Sequence, residues 1–380
     1  MSHTSAVTVD DPEMGQSQTM QWQSAHGWRA PSRIESISQA ISADRAYQQT
    51  SQGVGLLWLG DYHQGRELLQ SLKRRINQRT KSFEHLPWPQ RLHALRQQRS
   101  QTARAAGLLL VKVQPGFVLK LARAPEIGLA CQMAYGERLA QQTFVVPLTE
   151  LMGVLSAYQW YDRGLPLAQL GQSIHPRWGV FAPTRNEYLE LVAQAPLPQP
   201  CQRAADIGTG TGVLALILAK RGVPQVLATD LHPAALACAQ DNVKRLGLEN
   251  QVEVCAHDLL PPGKFDLLVC NPPWLPGAAS SALEAAVYDP DHRMLRGFLQ
   301  KARDHMNPNA QAWLILSDLA EHMQLRTREQ LLGWISTAGL QVLERIDIKP
   351  SHNKLARTDD PMHALRGREV TSLWRLSFSV

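Results

Sequence analysis

The apolar positions of this chain change rhythm near residue 200. From Arg33 to about Arg104 they keep a helical spacing. From Glu67 to Thr80, Leu68, Leu69, Leu72 and Ile76 share one stripe, while Lys73, Arg74, Arg75 and Arg79 lie largely off it. That segment predicts an amphipathic, basic helix. Leu108 to Val113 and Phe117 to Leu121 are β-rich runs separated by Gln114-Pro115-Gly116, the pattern of a hairpin. A short helical stretch from Pro125, which Gly136 can close, and a helix over Leu148 to Asp162 follow. Residues 21–165 therefore read as an N-terminal α+β accessory domain. The first twenty residues are polar, with acids at Asp10, Asp11 and Glu13 and no apolar segment of a secretory signal, and are expected to form a disordered tail.

Beyond the Pro-rich stretch Ala195 to Pro200, strand and helix patterns alternate. Arg203 to Ile207, Gln225 to Asp230, Val252 to His257, Phe265 to Cys270, Ala312 to Ser317 and Leu340 to Ile348 read as strands. Val213 to Lys220, Pro233 to Leu246 and Gln324 to Ala338 read as helices. Alternating βα units predict an α/β fold with a doubly wound, mostly parallel sheet over residues 201–380, reached through a connecting segment at 166–200. Val370 to Ser379 follows a loop rather than a helix, so it is expected to enter the sheet antiparallel. The basic loop Lys349 to Arg368 before it is a candidate cover for a substrate.

Composition narrows the class. With 380 residues, 44% hydrophobic and 19% charged, the chain can fill two cores, and collagen-like, coiled-coil and largely disordered proteins are excluded. No apolar run approaches the ~20 residues that span a bilayer, so a cytoplasmic protein with no membrane partner is expected. Cysteines 131, 201, 238, 255 and 270 stand singly, which fits reduced thiols rather than a disulfide framework or a zinc site. The formal charge of +6 is unevenly placed. Residues 1–200 carry 20 Lys+Arg against 14 Asp+Glu, whereas residues 201–380 carry 19 of each. The first half is thus suited to a polyanion, although a solvated helix face gives the same pattern.

Two segments carry chemistry. Asp206-Ile207-Gly208-Thr209-Gly210-Thr211-Gly212 lies where a strand passes into a helix, at the carboxyl end where open α/β sheets bind ligands. A dinucleotide fingerprint needs its third glycine at position 213, where Val213 stands, which disfavours a dehydrogenase. Asp230 ends the second strand and can accept both hydroxyls of a ribose; Leu231 beside it can pack on an adenine, and Asp258 ends the third strand within reach of an adenine amino group. Each acid alone suits a surface loop or a helix cap better than a ligand contact, but three at consecutive strand ends in register with the glycine turn point to one site.

The second segment is Asn271-Pro272-Pro273-Trp274, directly after the strand Phe265 to Cys270. Two prolines stiffen the backbone and lack N–H donors. Their carbonyls and the Asn271 side-chain oxygen can form a rigid set of acceptors for a planar NH2 group. Trp274 offers a flat surface for stacking an amide or a base. His175, His257, His292, His352 and His363 show no paired metal-ligand spacing, and His257 is expected to flank an adenine pocket. Tyr288 to His292 suits either the substrate mouth or the cap of the following helix.

In this order and spacing, the glycine turn, Asp230 and the NPPW segment resemble a class I S-adenosylmethionine (SAM) methyltransferase of the small-domain type, over about residues 175 to 348. The resemblance implies a seven-stranded Rossmann-like sheet, SAM bound by Asp206, Gly208, Thr209, Gly210, Gly212, Asp230, Leu231, Asp258 and Asn271, and methylation of a planar nitrogen with Asn271, Pro272 and Trp274 as catalytic residues. Gly179 to Val192, "GVFAPTRNEYLELV", is similar to the segment before the SAM turn in HemK/PrmC-type glutamine methyltransferases, and echoes the "PGVFS" string of ribosomal RNA guanine methyltransferases. It departs from the former in reading Ala182-Pro183-Thr184-Arg185 for a Pro-Arg-Pro core, and Trp274 stands where HemK proteins usually carry Tyr. The expected substrate is an exocyclic amine of a base in structured RNA, contacted by Trp274, Arg185, Lys73 and Arg74, with no metal required. The alternatives are a glutamine amide of a translation protein and a non-catalytic SAM- or RNA-binding module.

Overall fold

The computed structural model describes residues 5–11, 16–39, 41–279, 281, 283–350 and 362–378, and divides into two units, Met1–Gln159 and Trp160–Val380. In the first unit β1 (Ser5–Asp11), β2 (Gln16–Trp22), β3 (Arg33–Ile37), β4 (Val54–Trp58), β5 (Leu109–Val113) and β6 (Phe144–Pro147) form a mixed sheet in the order β1-β2-β6-β5-β4-β3. Strand alternation sorts its side chains between two faces. Leu56 and Trp58 pack with Leu68, Leu69 and Leu72, while Leu57 joins Val7, Val9, Met20 and Trp22.

The helices of this unit are α1 (Ala43–Ser51), α2 (Tyr62–Asn77), α3 (Trp88–Ala106), α4 (Gly128–Tyr135), α5 (Glu137–Ala140) and the start of α6 (Leu148–Arg163). Helix α2 buries the whole stripe Leu68, Leu69, Leu72 and Ile76. It begins at Asp61, whose carboxylate accepts from the amides of His63 and Gln64 at 2.9 and 3.2 Å. The Arg123 guanidinium, 2.6 Å away, draws the Asp61 carboxyl down to about 2. Gly136, at φ +73°, closes α4 as its sequence position suggests.

Two expectations for this half are corrected. The first twenty residues are not a disordered tail where described, because β1 and β2 pair antiparallel with Val7 opposite Met20. Val7, Val9, Met20 and Trp22 alternate with polar residues and are buried, a period-2 pattern that the surrounding acids and glutamines conceal. Nor do Phe117 to Leu121 form the second arm of a hairpin. A single bridge, Gln114 to Val118, closes the turn. Both edges of β5 are already taken, by β4 in parallel and β6 in antiparallel pairing, so the returning segment finds no free edge.

The second unit opens with the hairpin β7 (Leu165–Leu167) and β8 (Gln172–Ile174), then α7 (Glu187–Gln194). Residues 166–200 are therefore no mere connection: Leu167, Leu170, Ile174, Leu189 and Val192 bury in the same core as Val213 to Ala219. There follow β9 (Arg203–Ile207), α8 (Val213–Lys220), β10 (Gln225–Asp230), α9 (Pro233–Arg245), β11 (Val252–Ala256) and β12 (Phe265–Cys270). Two short strands, β13 (Leu275–Pro276) and β14 (Tyr288–Asp289), lead to α10 (Arg293–Ala302), β15 (Met306–Ser317), α11 (Leu319–His322) and α12 (Arg328–Thr337). The unit ends with β16 (Gln341–Ile348), α13 (His363–Arg366) and β17 (Thr371–Ser377).

The sheet has seven strands in the order β11-β10-β9-β12-β15-β17-β16, parallel except for β17, which runs antiparallel to both neighbours as its loop connection suggests. Its two faces are covered separately. Ala204, Leu267 and Val269 face α7 and α8, whereas Ala205, Ile207, Leu268 and Cys270 face Leu295, Phe298 and Leu299 of α10 and Leu331 and Ile335 of α12. Strands buried on both faces show near-continuous apolar runs, which is why the sequence marks them well. Helix α12 starts later than its pattern suggests because Thr327 and Gln330 form a reciprocal capping box. Among the described residues no helix is long and apolar enough to cross a membrane. Most of the basic loop before β17, residues 351–361, lies outside the described residues.

Candidate functional site

Strands β9 and β12 are parallel neighbours with Ile207 opposite Cys270. Each ends at that pair, so the glycine turn and the Asn271 segment leave the sheet side by side at its carboxyl edge.

In the turn, Gly208, Gly210 and Gly212 all take positive φ, at +72°, +57° and +83°. A Cβ on Gly212 would sit 3.2 Å from the Cα and Cβ of Ala239, so that glycine lets the turn pass close against α9. A Cβ on Gly210 would meet nothing within 4 Å, leaving an open backbone edge that a ligand can approach.

Asp206 is 1% exposed, and its Oδ2 accepts from the Thr209 hydroxyl at 2.6 Å and the Ala215 amide at 3.1 Å. This carboxylate braces the turn from within. Burial pushes its pKa up to about 6, against the lowering effect of those two bonds, and nearby Asp230 raises it slightly further. Thr209 is buried alongside it, and its amide donates to the Thr229 carbonyl at 2.8 Å.

Asp230 ends β10 half-buried. One oxygen accepts from the Gly210 amide at 3.0 Å and the other from the His232 amide at 2.9 Å. A carboxylate has about four lone-pair sites, so capacity remains on both oxygens for a diol. Leu231, beside it, is 57% exposed, an apolar surface fit to meet an aromatic ring. The open glycine edge, the half-used carboxylate and this exposed leucine together match the needs of a nucleoside. Asp258 is exposed and lies 3.3 Å from the Arg293 guanidinium. His257 follows β11, and its amide donates to the Asp230 carbonyl at 3.2 Å.

At the second segment the structure brings Asn271, Trp274 and Arg185 together. The Trp274 indole Nε1–H donates to Asn271 Oδ1 at 2.9 Å. The Arg185 guanidinium carbon lies 4.7 Å from the Trp274 ring centre and covers one face of the half-buried indole. Arg185 itself donates to the carboxylates of Glu187 and, at 3.0 Å, Glu369, and reaches the Thr371 hydroxyl at 3.4 Å. Glu369 also accepts from the Ser317 hydroxyl at 2.6 Å. Sequence reasoning missed these carboxylates. Glu187 stands two places from Arg185 and is visible as a partner in retrospect, whereas Glu369 reaches the site through β17, and no local pattern points to it.

Tyr288 to His292 caps the following helix and also borders the acceptor segment, with Tyr288 opposite Leu275. The Asp289 carboxylate accepts from the Met294 amide at 3.0 Å and the Leu295 amide at 3.2 Å at the start of α10. Among the described residues no three His, Cys, Asp or Glu side chains cluster as metal ligands. In the other unit Lys73 and Arg74 are exposed on α2; Arg74 donates to the Ser71 hydroxyl at 3.1 Å, and Arg79 lies 4.9 Å over the Tyr47 ring.

Residues 174–333 match the family model described as methyltransferase small domain. The chain is 32% identical over 230 residues to a release factor glutamine methyltransferase of Deinococcus radiodurans, covering 59% of this chain and 78% of that protein. It is 28% identical over 253 residues to a ribosomal protein L11 methyltransferase of Paraburkholderia xenovorans, covering 63% and 79%. Over 81 residues it is 42% identical to a tRNA1(Val) (adenine(37)-N6)-methyltransferase of Bacteroides thetaiotaomicron, covering 20% of this chain and 34% of that one.

Proposed function

The chain belongs to the methyltransferase small-domain family, and on that premise we propose that it transfers the methyl group of SAM to a planar nitrogen seated at Asn271, Pro272 and Trp274. The observation that carries this reading is the pairing of Ile207 with Cys270, which sets the glycine turn and the acceptor segment next to each other. When bound, SAM supplies a sulfonium-activated methyl. Gly208 to Gly212 would lie along it, Asp230 would accept its ribose hydroxyls, and Leu231 and Asp258 would meet its adenine.

The work left to the protein is alignment. Holding a nitrogen lone pair behind a methyl carbon is a positioning task worth several kcal/mol. The remaining Asn271 Oδ1 lone pair and the Pro272 carbonyl accept the two N–H bonds of the substrate nitrogen. Both acceptors favour the tetrahedral, positively charged nitrogen that forms as the N–C bond is made and the C–S bond breaks. The proton then leaves to solvent, because the alkylated nitrogen is acidic.

The substrate we favour is an exocyclic amine of a base in structured RNA. Its support is the charge of the first unit. Between residues 68 and 125 there are 12 Lys+Arg and one acid, Glu84, and the 19-residue helix α3 has four arginines and no acid. Lys73, Arg74 and Arg79 are exposed, within reach of phosphates in solution. A glutamine amide of a translation protein is the second reading, supported by Gly179 to Val192 and by the length of the match to the Deinococcus relative. Calorimetry with SAM tests the cofactor, and labelled methyl transfer followed by nuclease or protease digestion separates the substrates.

A further inference from the structure

We propose that Arg185 is a positioning residue, not a substrate contact: it seats the Trp274 indole so that the indole N–H fixes the Asn271 side-chain amide in one orientation. The inference rests on the reading of Asn271 as the acceptor of the substrate nitrogen.

An asparagine amide presents an oxygen at one end and an NH2 at the other, and its two flips are close in shape. Only one of them accepts a substrate N–H. At Asn271 the choice is made by Trp274, because an indole nitrogen donates and never accepts. Its 2.9 Å contact therefore demands Oδ1, and the flipped amide would set two donors against each other. One oxygen lone pair is taken by the indole, and the second remains for the substrate. A tyrosine or phenylalanine in place of Trp274 has no ring N–H and would not impose this choice from the same atom.

The indole is itself held. Arg185 covers one of its faces, and the arginine has little freedom: its side chain is 13% exposed, and those of Glu187 and Glu369 are 2% and 0%. Nε, Nη1 and Nη2 each face a different oxygen, of Glu187, Glu369 and Thr371. Glu187 opens α7, Glu369 stands just before β17 and Thr371 opens it, so Arg185 ties the acceptor segment to two elements distant from it in sequence. A guanidinium suits this place because it is planar, stacks on the ring and donates in several directions at once, whereas an ammonium can offer only a point charge. With three protein oxygens and a ring around it, Arg185 is poorly placed to bind substrate directly.

The test reads the relay without a substrate. In protein carrying 15N-tryptophan, the Trp274 indole N–H signal is identified by its loss in Trp274→Phe. We expect it to exchange slowly with deuterium, about tenfold faster in Arg185→Gln and in Asn271→Ala, and at an intermediate rate in Arg185→Lys. Removing Arg185 leaves two buried carboxylates without their cation and can unfold the protein. Glu369→Gln, which keeps the shape and loosens the seat, is the second variant and is expected to speed exchange in the same direction. In a kinetic arm, labelled methyl transfer from SAM to total RNA and total protein of a strain lacking the gene should fall about tenfold in kcat for Trp274→Phe, with SAM affinity unchanged. Exchange unchanged in the folded Arg185 and Glu369 variants, or wild-type kcat in Trp274→Phe, overturns the relay. Absence of label from every fraction with the wild-type enzyme instead contradicts the methyl-transfer reading, and the exchange data still decide the relay.

Discussion

The Gly210 amide donates to the Asp230 carboxylate across 3.0 Å, joining the turn after β9 to the end of β10. The same carboxylate accepts from the His232 amide, so it shapes the edge on which a nucleoside would rest as well as offering oxygens to it.

Asp230→Ala should therefore weaken SAM binding strongly. Hydrogen bonds to a charged acceptor are each worth about 1.5–3 kcal/mol, so losing a diol's acceptor predicts at least a tenfold higher Kd. Calorimetry on wild type and variant measures it. Equal affinity, or tighter binding of NADH than of SAM, contradicts the cofactor assignment.

The glycines of the turn should respond unequally to alanine. At Gly212 the added methyl meets the Ala239 backbone at 3.2 Å and the residue must also keep φ +83°, so Gly212→Ala should cost about 1–3 kcal/mol of stability. At Gly210 the methyl meets open space, and only the positive φ is penalised, by about 1–2 kcal/mol. Urea unfolding should rank Gly212→Ala as the less stable, while Gly210→Ala loses SAM affinity because its methyl occupies the open edge.

Asp206 predicts a pH signature. Its folded pKa, about 6, lies above the ordinary 3.8, so the folded state binds the proton more tightly than the unfolded one. Its contribution to stability is full below pH 4 and is lost as pH rises towards and through 6. Asp206→Asn keeps the acceptor oxygen for Thr209 and Ala215 without the buried charge. The stability difference between variant and wild type should therefore move in the variant's favour between pH 4 and 6 and level off above it. A difference that is flat across this window contradicts the buried ionisation.

Much of the second unit is legible in the sequence for one physical reason. Its central strands are buried on both faces, so Phe265 to Cys270 and Arg203 to Ile207 stand out as compact runs ended by turn residues, and their limits coincide with β12 and β9. The first unit hides its edge. Val7, Val9, Met20 and Trp22 are single apolar residues among polar ones, and the pairing that buries them is between strands, which no local window shows. The site is legible to the same degree. Glycine turns and the NPPW segment announce themselves through backbone constraints that are local. The indole bond to Asn271 and the Glu369 grip on Arg185 arise only when β12, α7 and β17 are assembled.

The basic face of the first unit makes a separate prediction. If Lys73 and Arg74 meet phosphates, RNA affinity should fall with salt at a logarithmic slope of about −0.7 to −0.9 per contact. Reversing both charges to glutamate should reduce that slope by roughly two units and leave SAM affinity unchanged. A glutamine-amide enzyme gives no such slope, and salt-insensitive RNA binding would favour the protein substrate.

The most direct measurement of the central claim is methyl transfer itself. Pure enzyme and methyl-labelled SAM are incubated with a lysate of a strain lacking the gene, beside the Asn271→Ala enzyme, and the label is followed through nuclease and protease digestion. The account predicts label that nuclease releases and protease does not, with most of it lost in Asn271→Ala although that variant still binds SAM. Label released only by protease would contradict the RNA substrate, and wild-type labelling by Asn271→Ala would contradict the acceptor site.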